Sequence, residues 1–307
     1  MNDRGFALVA VLLGLGLLGV VGAEFAQSMR LEASAVRAYK ESITGAHLAE
    51  AAVEQAIREI SAEVAFAAVA DDGLLTFYTR ERQPLPRLSR AKAPLGAGAF
   101  SYSITDEEAR LNLNTSPPDR VDRLLQGLGV EKRDRDVIVD SIQDWRDANE
   151  EHRANGAESE DYYLKLPVPY RARNANIESV QELLQIRGVT PRIFNGYDRT
   201  PGLADLVTVK SPGSTVNINT AGVPVLRALG LSEADISMVT QTRHNGLFAV
   251  VPGQLAGRGL TVTTRTFRID AEGLVNGQVR ARLTAIIQKR SEGPTPSVTV
   301  LEWSGFR

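Results

Sequence analysis

Eight oxygen-bearing side chains crowd one short stretch of the chain. In "DSIQDWRDANEEHRANGAESED", Asp144, Asp147, Asn149, Glu150, Glu151, Glu158, Glu160 and Asp161 fall within 18 residues. Hard cations such as Ca²⁺ are held by roughly six to eight oxygens from carboxylates, amide side chains and backbone carbonyls. A long polar loop that must stay ordered would gain from such an ion. The spacing is not that of an EF-hand, so the same residues also fit a solvated acidic loop, and both readings stand at this point. Signals for catalysis are poor. His47, His152 and His244 are isolated, and no H-E-x-x-H, G-x-S-x-G or P-loop pattern occurs. Cysteine is absent, which removes disulfides, thiolate metal sites and cysteine nucleophiles. An enzyme is not expected.

Two further patterns invite ligands and are weighed against simpler readings. "GLGLLG" (Gly14, Gly16, Gly19) matches a dinucleotide-binding glycine pattern. That fold needs a second parallel strand about 30 residues on, ending in an acid, and residues 24–70 show a helical pattern instead. Small residues that let helices approach closely are the better reading. The helix–Gly–helix stretches around Gly127-Leu128-Gly129, Gly188 and Gly230 are similar to turns that take DNA phosphates on backbone amides. Thr115–Lys165 carries 13 Asp/Glu against 8 Lys/Arg, and the whole chain has net charge −2. Phosphate would be repelled there, so structural helical hairpins are expected and no nucleic-acid partner.

The elements around these residues follow from periodicity. Phe6–Ala23 contains no charged side chain over 18 residues, about 27 Å of helix, close to the thickness of a bilayer core. No small-residue cleavage site closes the run, so an ordinary signal peptide fits poorly. Ala49, Val53, Ile57, Ile60 and Val64 recur at helical spacing, with Glu50, Glu54, Arg58 and Glu59 on the other side. One helix from about Phe6 to about Ala70 is predicted. "LLTFYT" and "AFSYSIT" read as strands, and the Pro- and Gly-rich run between them as a loop. "RLNLNTSPPDRVDRLLQGLGV" and "TVNINTAGVPVLRALGLSEADI" echo each other, with Asn or Thr suited to cap a helix and Gly suited to end it. In the tail, Phe267, Ile269 and Ala271 form one side of a strand, Asn276-Gly277 is a hairpin signal, and "SVTVLEWSGF" reads as an edge strand. The class is α+β with a helical insertion.

The short leader ending in Gly5, then Phe6 and an apolar helix, resembles the signal of type IV pilins and type II secretion pseudopilins. "DEEARLNLN", "DSIQDWRD", "GAESEDYY", "PYRARNANIESVQELLQIRGVTP" and "VNINTA" resemble the K-type minor pseudopilins along nearly the whole chain. Most relatives place Glu at the fifth mature position; Ala10 stands there, a loss typical of the K-type. The resemblance implies a pseudopilin fold, a long N-terminal helix packed on an antiparallel sheet, with a large inserted helical domain containing helix-hairpin-helix-like turns. It implies a leader (1–5) cut between Gly5 and Phe6 by prepilin peptidase with methylation of the new N-terminus, and a membrane span (6–23). The rest of the helix and first strands (24–108), the inserted region (109–250) and the last strands (251–307) would follow. It further implies a single-pass inner-membrane protein with its bulk in the periplasm, at the pseudopilus tip with I-type and J-type minor pseudopilins and the inner-membrane secretion machinery. A Ca²⁺ site in the insertion is implied too, matched by position to Asp144, Asp147, Glu158 and Asp161, with Asn149 and Glu151 as further ligands. A minor pilin of a type IV pilus or DNA-uptake system is the alternative.

Overall fold

The structure is a computed structural model that describes residues 3–62, 64–290 and 297–305, with side chains from Leu8 onward. Helix α1 (Asp3–Ile60) opens the chain. It holds no proline, so nothing interrupts its hydrogen-bond ladder. Its two ends differ. Every residue from Leu8 to Lys40 is exposed, whereas Leu48, Ala49, Ala52, Val53, Ala56 and Ile60 are buried. The expected helical stripe is therefore the packed face of the second half. Two expectations fail here. The helix stops at Ile60 rather than near Ala70, and Phe66–Val69 forms strand β1, paired antiparallel with β2 (Leu75–Tyr78). The Asp72-Gly73 turn decides this: Gly73 takes φ +77° and Asp72 Oδ1 accepts the Leu74 amide at 3.0 Å. Glu59 is also not on a solvent face. It is buried, paired with Arg90 at 2.5 Å, and accepts from the Tyr102 hydroxyl at 3.0 Å.

Five strands make one antiparallel sheet: β3 (Ala93–Leu95), β4 (Gly98–Asp106), β5 (Thr266–Val275), β6 (Gln278–Arg290) and β7 (Ser297–Ser304), in the order β7-β6-β5-β4-β3. Strand β3 lies within the stretch expected to be loop. The predicted Asn276-Gly277 hairpin joins β5 to β6, with φ of +55° and +75° at the two residues. Phe267, Ile269 and Ala271 face the core, and β7 is the edge strand. Helix α1 lies directly on this sheet. A Cβ on Gly273 would come within 1.8 Å of the Gly45 carbonyl oxygen, so glycine is what lets the two backbones touch.

Between β4 and β5 the chain leaves the sheet and builds a second core, with buried residues from Leu111 to Leu255. The sequence echo is a structural repeat. Leu111–Asn112 pairs in parallel with Val207–Thr208, and Val216–Asn217 pairs in parallel with Leu260–Thr261. Each is followed by a helical hairpin: α2 (Pro118–Gly127) with α3 (Lys132–Arg146), and α4 (Val223–Ala228) with α5 (Glu233–Asn245). Helices α2 and α4 pack on each other. Gly129 and Gly230 end their helices at φ +77° and +80°, as expected. The third turn runs from a 3₁₀ helix (Val180–Gln185) through Gly188 at φ +88° into the short helix Pro191–Asn195.

The repeated asparagines do not cap these helices, which begin after Pro117 and Gly222 without a side-chain cap. They tie distant backbone together instead. Asn114 donates to the Ile177 carbonyl at 2.9 Å and accepts the Ile177 amide at 2.9 Å. Asn219 donates to the Phe248 carbonyl at 3.0 Å and accepts the Phe248 amide at 2.8 Å. The amides of Asn114 and Asn219 donate in turn to Asn112 and Asn217. A planar side chain that both donates and accepts can pair with a peptide unit as a neighbouring strand would.

Three consecutive acids clamp the second core to the sheet. Asp106 accepts from Asn217 (2.8 Å), Thr220 (2.6 Å), Thr264 (2.6 Å) and the Glu108 amide (2.8 Å). Glu107 pairs with Arg110 (2.7 Å) and Arg268 (3.1 Å) and accepts from Thr208 (2.7 Å). Glu108 accepts the amides of Arg265 and Thr266, both at 2.9 Å. Burial raises the Asp106 carboxyl to about 6 against the pull of its donors. Glu107 is lowered: burial opposes this, and the attraction of Arg110 and Arg268 overcomes it.

Candidate metal centre

Helix α3 presents the first residue of the site. Ile138, Ile142 and Trp145 recur at helical spacing on its buried face, and Asp144 is drawn in beside them with a fully buried side chain. The loop after the helix folds back over this carboxylate. A Cβ on Gly156 would lie 1.8 Å from Asp144 Oδ2, so only glycine lets the loop close there. Arg187 holds the closed loop by donating to the Gly156 carbonyl at 2.9 Å. Behind it, Trp145 meets the buried Tyr163 edge-on, with ring centres 5.2 Å apart.

Arg153 bridges two of the predicted ligands. Its guanidinium donates to Asp144 Oδ1 at 2.6 Å and to Asp147 Oδ2 at 2.7 Å, and its amide donates to Asp144 Oδ2 at 3.1 Å. Glu158 has no such partner. It is 1% exposed, and neither carboxylate oxygen receives a hydrogen bond. Burial, then the negative charges of Asp144, Glu150 and Asp147, push its carboxyl up to about 7. Burial also raises Asp144, against the hydrogen bonds from Arg153.

The six predicted ligands are not equivalent. Asp144 and Asp147 are joined through Arg153, and the charges of Asp144, Glu150 and Asp147 bear on the buried Glu158. Asn149 and Glu151 form an exposed turn: Asn149 donates to Asp147 Oδ1 at 2.9 Å and accepts the Glu151 amide at 2.7 Å. Asp161 accepts the Glu158 amide at 2.8 Å, and its other oxygen is 3.8 Å from His152 Nδ1. Among the described residues, no three His, Cys, Asp or Glu side chains stand as a ready metal cage. Sequence reasoning missed Asn174. It donates to Glu150 at 2.9 Å and holds a buried Oδ1 with no donor. It is also one of few non-glycine residues at positive φ, +50°. The buried oxygens of Glu158 and Asn174 that lack donors are of the hard type that a cation such as Ca²⁺ selects.

Other candidates offer less. His47, His152 and His244 each lie beside one acid at exposed positions. Gly14, Gly16 and Gly19 sit within the continuous helix α1, and among the described residues neither a strand nor a phosphate loop precedes them. The Gly127-Leu128-Gly129 turn borders a cleft lined by Glu131, Asp134 and Arg192, whose balance is not the positive one that phosphate needs. Gly5 and Phe6 belong to the first turns of α1, and their side chains lie outside the described residues. Among the described residues, α1 is the one helix long and apolar enough to cross a membrane.

Comparison with known proteins places these features together. Residues 103–200 match the family model for "Type II secretion system (T2SS), protein K". The chain is 31% identical over 155 residues to the type II secretion system protein K of Pectobacterium carotovorum, covering 49% of this chain and 45% of that protein. It is 29% identical over 252 residues to the protein of the same name in Pseudomonas aeruginosa, covering 74% of this chain and 68% of that one. The matched stretch thus spans under half of the Pectobacterium relative and about two thirds of the Pseudomonas one. Among solved structures, a chain of the GspK-GspI-GspJ complex from the type 2 secretion system of enterotoxigenic Escherichia coli superposes with a TM-score of 0.64. That match has 18% identity and covers 91% of this chain and 99% of that one, a likeness of fold.

Proposed function

We propose that the chain is a member of the type II secretion system protein K family, which its matches to that family support, and that it works as a minor pseudopilin at the tip of a pseudopilus. It is an assembly part rather than an enzyme. The observation that carries this reading is the division of α1. Its second half is fixed on the sheet, while apolar residues such as Leu13, Leu17, Leu18 and Phe25 are 60–70% exposed in the first half. So much apolar surface needs a bilayer around it and neighbouring helices beside it. A helix held at one end by its own globular part can be drawn from the membrane into a filament while that part stays folded.

In this reading the leader is cut between Gly5 and Phe6 by prepilin peptidase, the span lies in the inner membrane, and the bulk is periplasmic. The relative solved as a complex with GspI and GspJ supports I-type and J-type minor pseudopilins as partners. Ala10 fits a tip position, because a carboxylate in the apolar layer costs free energy unless a neighbour's amine pairs with it. Co-expression of the full chain with both minor pseudopilins, followed by detergent extraction and affinity purification, tests the reading. A stoichiometric complex is expected; recovery of this chain alone would contradict it.

The inserted region is proposed to bind Ca²⁺. Asp144, Asp147 and Glu158 would hold it, with Glu150 and Asn174 Oδ1 as nearby oxygens and Asp161 ordering the Glu158 turn. The ion would supply the positive charge that the buried Glu158 lacks. The chain's own residues do the rest: Gly156 lets the loop close, Arg187 fastens it, and the Trp145–Tyr163 packing shields it from water.

A further inference from the structure

We propose that Arg153 is a tethered counter-ion that holds the cation's place between Asp144 and Asp147 and is displaced when the cation binds. The inference rests on the calcium reading above and adds a competitor inside the same loop. Three observations carry it. The guanidinium reaches both carboxylates, at 2.6 and 2.7 Å, while its side chain remains 42% exposed, so it can swing out to water without breaking the core. The pocket holds more acid than Arg153 can neutralise. Glu158 is buried with both oxygens unpartnered, and the charges of Asp144, Glu150 and Asp147 bear on it. Arg153 occupies oxygens of Asp144 and Asp147, two of the carboxylates proposed to hold the cation, and a cation that gathers them must take them from the guanidinium.

The arrangement gives the loop two closed forms. Without the ion, Arg153 satisfies Asp144, whose burial would otherwise be costly. With the ion, the carboxylates turn to it and Arg153 faces solvent. Apparent affinity is reduced by the fraction of molecules in which Arg153 holds the site. The chain has no cysteine to pin this loop covalently, so an internal cation is a way to keep it folded while calcium is scarce.

The test is calcium titration of the detergent-solubilised full chain by calorimetry, comparing the parent with Arg153→Gln and Arg153→Lys, alongside melting curves with chelator and with excess calcium. The expected result is that Arg153→Gln binds calcium about tenfold tighter, melts lower in chelator, and gains more from calcium than the parent does. Arg153→Lys should lie between the two. Equal or weaker calcium binding by Arg153→Gln, with the parent binding normally, overturns the counter-ion role and leaves the metal site standing. A drop in melting temperature of the same size with and without calcium does the same, since that marks a purely structural residue. Calcium binding by none of the three overturns the metal reading and this inference together.

Discussion

Two groups of buried acids, one before helix α2 in the sequence and one from the end of α3 onward, are built on opposite plans. Asp106, Glu107 and Glu108 receive donors from Asn217, Thr220, Thr264, Thr208, Arg110, Arg268 and three backbone amides, so none of these carboxylates lacks a partner. Asp144 and Glu158 sit as deeply, yet one is held by a single half-exposed arginine and the other by nothing. A complete set of partners marks acids whose work is to hold two cores together. A carboxylate with no donor, or with donors from a single half-exposed arginine, is open to a partner from outside the chain. Burial and charge alone would not separate the groups; where the donors come from does, since Asp144 takes all of its bonds from Arg153 and Glu158 has none.

This contrast can be broken most forcefully at the junction. Glu107→Ala leaves Arg110 and Arg268 facing each other without their common carboxylate, and a loss of about 3 kcal/mol or more is expected in chemical denaturation, the same with chelator and with calcium. Glu158→Gln should behave in the opposite way. It removes a buried unpaired charge, so chelated protein should be as stable as the parent or more so. The gain from calcium, about 2.7 kcal/mol for the parent at a hundredfold excess over Kd, should vanish. If Glu107→Ala were rescued by calcium, or Glu158→Gln were indifferent to it, the division between the groups would fail.

Smaller effects sharpen the picture. Asn114→Ala and Asn219→Ala remove equivalent two-way bonds from the two repeats, and similar losses of about 2 kcal/mol are expected from each in denaturant titrations. A loss at only one site would show that the repeat is one of shape and not of energetics. Asp106 adds a pH dependence. Its folded value of about 6 lies above the ordinary 3.8. Between these values the folded chain keeps a proton that the unfolded chain releases, so its contribution is fully present below about 3.8 and lost as pH rises through 6. Asp106→Asn should therefore gain on the parent, in relative stability, as pH is raised from 4 to 7.

How much of this the sequence discloses depends on the range of the interactions. The apolar run of α1, the Asn276-Gly277 hairpin and the helix-ending Gly129 and Gly230 rest on local periodicity or local backbone demands, and they stand in the structure as read. The end of α1 does not, because Ala-rich residues 65–70 suit a helix or a strand, and the Asp72-Gly73 turn decides between them. The "NLN" and "NIN" echo is legible as a repeat, but its role is not: each Asn pairs with a peptide 29 or 63 residues away. The acidic loop announces itself by composition, but composition does not disclose that Arg153 would bridge Asp144 and Asp147 or that Glu158 would be buried without a donor. Arg153, Gly156 and Asn174 carry no local signal, since an arginine, a glycine and an asparagine in a polar loop acquire their roles only when the loop folds back on α3.

In the proposed reading α1 begins as a processed, membrane-held helix of a minor pseudopilin. Intact-mass and N-terminal peptide mass spectrometry of the protein isolated from membranes of a host with an active type II secretion system measures this directly. A mature chain that starts at Phe6 with a methylated amine is the expected result. A chain that retains Met1, or one cut after Ala23 and released from the membrane, would contradict the account.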